Sequence, residues 1–272
     1  MSRLLLRRLL TVFVLMVFIV LTSYTITVLN VFGELPPRSL RPLAFWFINT
    51  SITPWLSYFS AMAPETVTAI IWDYRGLDTL FETAVFYFAI IASIALFRGI
   101  EEKSSRGRYA GLSKIVRVVS RILLPVNIAV AASIAVHGTI TPGGGFQAGS
   151  AMAVAPLILI IVFSRFFLKE KGLSKNLLIA LRGVGLVGIG IASILVLIVG
   201  LLSGSYAFIF QNQPKINAPI GLPSEILGFP IAGTLFIFNI FEFIAVFAGF
   251  TIIFILLSIP EDIAREALHD EH

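Results

Sequence analysis

Residues 137–149 read HGTITPGGGFQAG, a proline, three successive glycines and a histidine set between two long apolar runs. Such a stretch can be a phosphate-binding loop, a tight turn or part of an ion path, and its flanks decide. The chain has 272 residues, 57% of them hydrophobic and 13% charged, with a mean hydropathy of +0.95. Apolar runs of about 20 residues match the roughly 30 Å hydrocarbon core of a bilayer at 1.5 Å per helical residue. The alternating ten-residue segments of a membrane barrel are absent, so the runs are helices. Glycine-rich backbone at membrane depth is tolerated only where protein buries it or water lines it. The loop therefore does more than reverse the chain.

Working outward, we place about six spans at 9–29, 78–97, 118–137, 146–167, 183–202 and 234–257. The basic start MSRLLLRRLL resembles a signal peptide, but its apolar stretch is long and no A-x-A site follows, so a retained first span is expected. Basic residues alternate between the connections. Arg3, Arg7 and Arg8 lie at the start, then Arg98, Lys103, Arg106, Arg108, Lys114 and Arg117, then Arg165, Lys169, Lys171, Lys175 and Arg182. The opposite side holds Arg38, Arg41, Arg75 and Lys215. The positive-inside rule then predicts both termini in the cytoplasm and the glycine loop outside or in the outer half of the membrane. The net charge of +5 is thus a topology signal and not a nucleic-acid footprint. Residues 35–71 mix Trp46, Trp55 and Tyr58 with five prolines and predict short interfacial helices; residues 203–232 have a similar mixture. The expected fold is an all-α polytopic membrane protein.

Cysteine is absent, which excludes thiolate metal sites, iron–sulfur ligation and disulfides within the chain. No His/carboxylate set has metal-ligand spacing, and no serine has an evident base, so a hydrolase is unsupported. The GxGxxG match at Gly183–Gly188 lies inside an apolar span instead of after a strand, and reads as a small-residue helix-packing face through Gly185 and Gly188. Gly145, Gly149 and Ala153 do the same in the fourth span.

Ionisable groups at membrane depth are functional candidates, because a charge in hydrocarbon costs several kcal/mol. In WDYRGLDTLFETAVFYF, Arg75, Asp78 and Glu82 share one helix face if the helix starts near Arg75. Arg75 can neutralise Asp78, and Glu82 lies about 6 Å deeper by helical rise, placed to carry an exchangeable proton. Glu242 is the deepest acid, with Asn239 one turn before it on nearly the same face. His137 ends the third span, and Asn127 lies within it beside Pro125.

The stretch HGTITPGGGFQAGSAMAVAPLIL resembles the signature of the B subunit of Mrp-type Na⁺/H⁺ antiporters, and with its following spans the resemblance covers about residues 113–257. His137, Pro142, Gly143, Gly144, Gly145, Gln147 and Gly149 carry it; Ala148-Gly149 stands where the family usually has Gly-Gly. Where the family has an acid in the last span, this chain has Asn239, with Glu242 a turn later. DYRGLDTLFETAVFYFAI resembles the C-terminal segment of the Mrp A subunit through Asp73, Arg75, Gly76, Asp78, Thr79 and Glu82, with Phe81 in place of a small residue. The resemblance implies an A-like segment (residues 1–112, two spans and an interfacial loop) joined to a B-like domain (residues 113–272, four spans and a tail). It implies ion transfer through Glu82, and a plasma-membrane subunit of a Na⁺/H⁺-translocating module with no cofactor of its own, Na⁺ or H⁺ being the cargo. The implied partners are A/D-type antiporter-like chains and C-, E-, F- and G-type subunits. The detached A-like tail resembles archaeal membrane-bound hydrogenase and sulfane reductase complexes, where peripheral hydrogenase-like chains perform the redox reaction. A stand-alone Mrp antiporter and a non-transporting structural subunit remain as alternatives. On either view, the chain is not an enzyme by itself.

Overall fold

The computed structural model describes residues 3–29, 31, 39–98, 100, 111–261 and 263. Arg38, Lys103, Arg106 and Arg108, and most of the tail after Glu261, lie outside the described residues. The chain divides into two compact units, Met1–Ala44 and Phe45–His272. Among the described residues, six helices are long and apolar enough to cross a membrane. The first unit contains one of them, α1 (Arg3–Thr27).

α2 (Pro42–Ser51) begins at the end of the first unit and runs into the second, where a 3₁₀ segment at Pro54–Phe59 follows it. These are short helices, as the Pro/aromatic mixture predicts. A single turn, α3 (Thr66–Thr68), runs into a π-helical turn at Ala69–Tyr74 and then into α4 (Gly76–Leu96). The Glu65 carboxylate accepts from the Thr68 amide and caps α3. The Thr79 hydroxyl donates to the Ile71 carbonyl at 2.6 Å and so satisfies a group the π turn displaces.

α5 (Lys114–His137) begins on a Ser113 cap and contains Pro125. The glycine loop leads into α6 (Gly145–Val162). The fourth span ends at Val162, five residues before the sequence limit. Ser164 adopts φ 140°, and α7 (Arg165–Glu170) is a separate short helix. α8 (Lys175–Leu202) begins eight residues before its predicted start, because Ser174 caps it by accepting from the Leu177 amide at 3.2 Å. Arg182 therefore lies inside the helix and not in a loop. Residues 203–232 contain a two-residue hairpin, β1 (Glu225–Ile226) with β2 (Phe229–Pro230), in place of further helix.

α9 (Thr234–Leu257) is the hub, packed against α8, α6 and α4. Gly185 and Gly188 explain the α8 contact. A Cβ at Gly185 would lie 2.7 Å from both Ala245 Cβ and the Phe241 carbonyl, and one at Gly188 would overlap the Phe241 ring. Gly183 and Gly190, on other faces of α8, have open space around them. One core cluster, built on Trp72, Phe238, Leu235 and Ile189, fills the end of the bundle near the π turn; a second, built on Ile90, Leu178, Ile252 and Ile255, fills the other end. Trp72 stacks on Phe238 at 4.4 Å between ring centres. Asn212, fully buried, donates to the Ala61 carbonyl at 2.8 Å and accepts from the Thr234 amide at 3.0 Å, which ties the 203–232 connection to both neighbours.

At the same end, Lys215 approaches Asp73 at 3.8 Å. Burial pushes the Asp73 carboxyl from its usual 3.8 up to about 6, against the opposing pull of Lys215. The folded chain thus holds this proton more tightly than the unfolded chain. Its contribution to stability is complete below about pH 4 and is lost as pH rises through about 6, on the order of 3 kcal/mol.

Two outcomes follow. Gly185→Ala and Gly188→Ala should lower the thermal midpoint of the solubilised protein, while Gly183→Ala and Gly190→Ala leave it unchanged or raise it, since alanine gains up to about 1 kcal/mol of helix propensity over glycine. Asp73→Asn should flatten the fall in thermal midpoint between about pH 4 and pH 7; an unaltered slope in melting scans would refute that assignment.

Candidate ion-binding site

The glycine loop and the first half of α9 meet face to face. Gly143 and Gly144 hold φ values of 153° and 149°, a region that favours glycine, and this turns the chain sharply into α6. Gly145 then packs on α9 with no room to spare. A Cβ there would lie 2.5 Å from the Asn239 carbonyl and 2.7 Å from Glu242 Oε2. Gly149, one turn later, meets Val246 and the Phe243 carbonyl in the same way. Gly138 closes the other side: a Cβ on it would lie 2.9 Å from Asn239 Nδ2 and 2.9 Å from Gly144 Cα. These glycines let two backbones approach around a carboxyl and a carboxamide.

Both polar side chains are buried, Asn239 fully and Glu242 to within 3%. Neither is satisfied. Among the described residues, Asn239 Oδ1 and Nδ2, Glu242 Oε2, Trp72 Nε1 and the Thr139 hydroxyl all lack a hydrogen-bond partner. The Phe146 amide and the Trp72 indole face the Glu242 carboxyl, yet Trp72 Nε1 and Glu242 Oε2 do not reach hydrogen-bonding geometry. Leaving a buried polar group unpaired costs about 1–3 kcal/mol, more if charged. Several such groups packed against the buried loop backbone form a polar cluster chemically suited to a proton, a small cation or ordered water.

The segment before α4 locks the loop in place. The Glu65 amide donates to the Thr139 carbonyl at 3.1 Å, and the Thr68 hydroxyl donates to the Gly138 carbonyl at 2.6 Å. The same segment delivers Trp72 through the π turn, a feature often found at functional sites. On the far side of the loop, Asn127 Nδ2 donates to the Ala151 carbonyl at 3.0 Å and joins α5 to α6.

The other sequence candidates are placed differently. Arg75 pairs with Asp78 at 2.5 Å, and both side chains are more than half exposed. Glu82 is also exposed on the outward face of α4. His137 turns to its own helix, with Nδ1 2.9 Å from the Ser133 carbonyl and its ring edge-on to Phe229. Pro142 and Gln147 lie exposed at the loop surface, with Gln147 Oε1 close to Gly144. The structure thus brings together Asn239, Glu242, Gly144 and Gly145, and leaves Arg75, Asp78, Glu82 and His137 outside that cluster.

Sequence reasoning missed Trp72 and Thr139, whose apolar surroundings and loop position carry no polar signature. It also counted Arg182 among the flanking basic residues. The structure buries Arg182 to 2%. The available signal was its position after the apolar run Leu177-Leu178-Ile179-Ala180-Leu181 behind a serine cap.

A family model described as a domain related to the MnhB subunit of Na⁺/H⁺ antiporter matches residues 115–252. An uncharacterised protein of Methanocaldococcus jannaschii is 28% identical, over 76% of this chain and 82% of that protein. Among solved structures, a chain of the membrane-bound sulfane sulfur reductase, an archaeal respiratory membrane complex, superposes with a TM-score of 0.59 at 22% identity, covering 94% of this chain and all of that one. A chain of the Mrp complex from Dietzia sp. DQ12-45-1b superposes at 0.53 with 18% identity, covering 95% of this chain and 26% of that one. At such identities the two superpositions establish a common fold. The family match takes in the glycine loop, Asn239 and Glu242, and spans just over half of the sequence. This chain belongs to the family of domains related to the MnhB subunit of Na⁺/H⁺ antiporters.

Proposed function

We propose that the chain is an ion-translocating membrane subunit of an Mrp-like Na⁺/H⁺ module, built as an A-like segment (residues 1–112) joined to the B-like domain (residues 113–272). The observation that carries this reading is the pair of buried, unsatisfied side chains, Asn239 and Glu242, clamped against the glycine loop. A purely structural bundle gains nothing from them, since an apolar pair of the same shape would avoid the desolvation. Glu242 exchanges a proton or holds a cation; the Asn239 carboxamide and the Thr139 hydroxyl supply neutral oxygens. Glu82, exposed on α4, forms the entrance to that site, and its lining is completed by another subunit of the module. Arg75 and Asp78 neutralise each other and set the field at the mouth. His137 and the exposed Gln147 belong to the water-facing rim.

Both termini lie in the cytoplasm, by the distribution of basic residues. The module belongs to a redox-driven complex of the sulfane reductase or hydrogenase type, in which other chains carry the catalysis. The superposition over the full length of a sulfane reductase chain supports this, as does its contrast with the much larger Mrp chain. A- or D-type antiporter-like chains and the smaller C-, E-, F- and G-type subunits are the expected neighbours.

The test is transport by the assembled complex in vesicles. Glu242→Gln should lower Na⁺-dependent transport about ten- to a hundredfold, the loss expected when a charged partner worth about 1.5–3 kcal/mol is removed, with subunit stoichiometry unchanged. Asn239→Leu should act in the same direction and more weakly. Normal transport in Glu242→Gln would return the chain to a scaffold role.

A further inference from the structure

Arg182 is a charge that the site above does not use. It is 2% exposed. Its Nη1 donates to the Ala245 carbonyl at 2.8 Å, and its guanidinium carbon lies 4.3 Å from the Phe86 ring centre and 5.4 Å from that of Tyr87. Its Nε has no hydrogen-bond partner among the described residues. Among the described residues no carboxylate lies within ion-pair distance of it. Gly249 leaves the notch that admits it, since a Cβ there would overlap Nη1. The guanidinium therefore meets α4 and α9 near the midpoints of both helices, not at a membrane surface.

An unpaired cation at that level is expensive, and one carbonyl and two aromatic faces offset only part of the desolvation. Its position relative to the acids gives it a use. Phe86 is one helical turn beyond Glu82 along α4, and Ala245 is nearly one turn beyond Glu242 along α9. Beside Arg182 lies a cavity of about 10 Å³ lined by Thr83, Phe86, Leu186 and Val246, the size of about one water. A cation moving from the two carboxyls toward the Leu96 and Leu257 ends of these helices would meet the guanidinium first.

We propose that Arg182 is an electrostatic barrier: a fixed positive charge that closes the seam between α4, α8 and α9 to cations on the side of the carboxyls away from the glycine loop. It is a positioning residue and does not touch the transported ion. The inference rests on Glu82 and Glu242 serving the ion, as proposed above. It adds that this chain is sealed below them, so that the ion continues through a neighbouring subunit.

The experiment is passive ²²Na⁺ and proton leak through the complex purified from its own membranes and reconstituted in vesicles, with no redox substrate. Arg182→Gln should raise the leak about tenfold or more, and Arg182→Lys should stay as tight as the native complex. Leu186→Glu keeps the guanidinium and neutralises it from the same cavity, so it should leak as well; it serves where the Gln variant fails to assemble. A tight Arg182→Gln or Leu186→Glu complex, or a Lys variant that leaks as much as Gln, would reduce Arg182 to packing. Glu242→Gln separates the two ideas. A leaky Arg182→Gln with coupled transport untouched by Glu242→Gln keeps the barrier and removes the carboxyl site. A tight Arg182→Gln with transport abolished by Glu242→Gln does the reverse.

Discussion

The contact between Gly145 and the α9 backbone at Asn239 and Glu242 is the constraint on which the rest of this structure turns. Two helices can enclose a carboxyl and a carboxamide in a membrane only if their backbones come nearly into contact, and any side chain at Gly145 would collide with the Asn239 backbone carbonyl and the Glu242 side chain. That closeness needs the left-handed turn at Gly143 and Gly144 to aim α6 at α9. It also needs Glu65 and Thr68 to hold the loop by its carbonyls. The π turn follows from the same arrangement, because it swings Trp72 under the site and stacks it on Phe238.

Two charge environments divide the bundle along its length. Near the loop, one acid, Glu242, and one carboxamide, Asn239, stand buried with unmet hydrogen-bonding capacity. One turn further along α4 and α9, a lone guanidinium is held by a carbonyl and two aromatic rings. Opposite charges so close in sequence depth would collapse into an ion pair if the helices let them meet. The glycine at position 249 keeps Arg182 at its own level, while Gly145 keeps Glu242 at the level of the loop. The separation is a product of helix packing, in which small residues set how far each side chain is displaced along the seam.

The outward face of α4 completes the physical picture. Glu82 is exposed there among Phe81, Val85 and Phe88. A carboxylate on an apolar helix face is incompatible with lipid contact, so that face is suited to protein and not to acyl chains. The Arg75–Asp78 pair lies at the start of the same helix, where charge is readily solvated.

Length and hydropathy determined the six candidate spans and the mostly helical class, because a bilayer leaves a spanning segment few other ways to satisfy its backbone. Local capping chemistry also lay within reach of the sequence: Arg75 with Asp78 follows from helical spacing alone. The glycines at 185 and 188 were legible as a packing face for the same reason. What faces what was not legible. The sequence marks Glu242 as the deeper acid but not which acid is buried; only the packing of α9 against α6 and α8 buries Glu242 while α4 leaves Glu82 at the surface. Arg182 looks like a flanking charge until the Ser174 cap sets where α8 begins and Gly249 opens a notch for its head. Those outcomes depend on contacts between residues far apart in the chain, and a helical period carries no information about its partners.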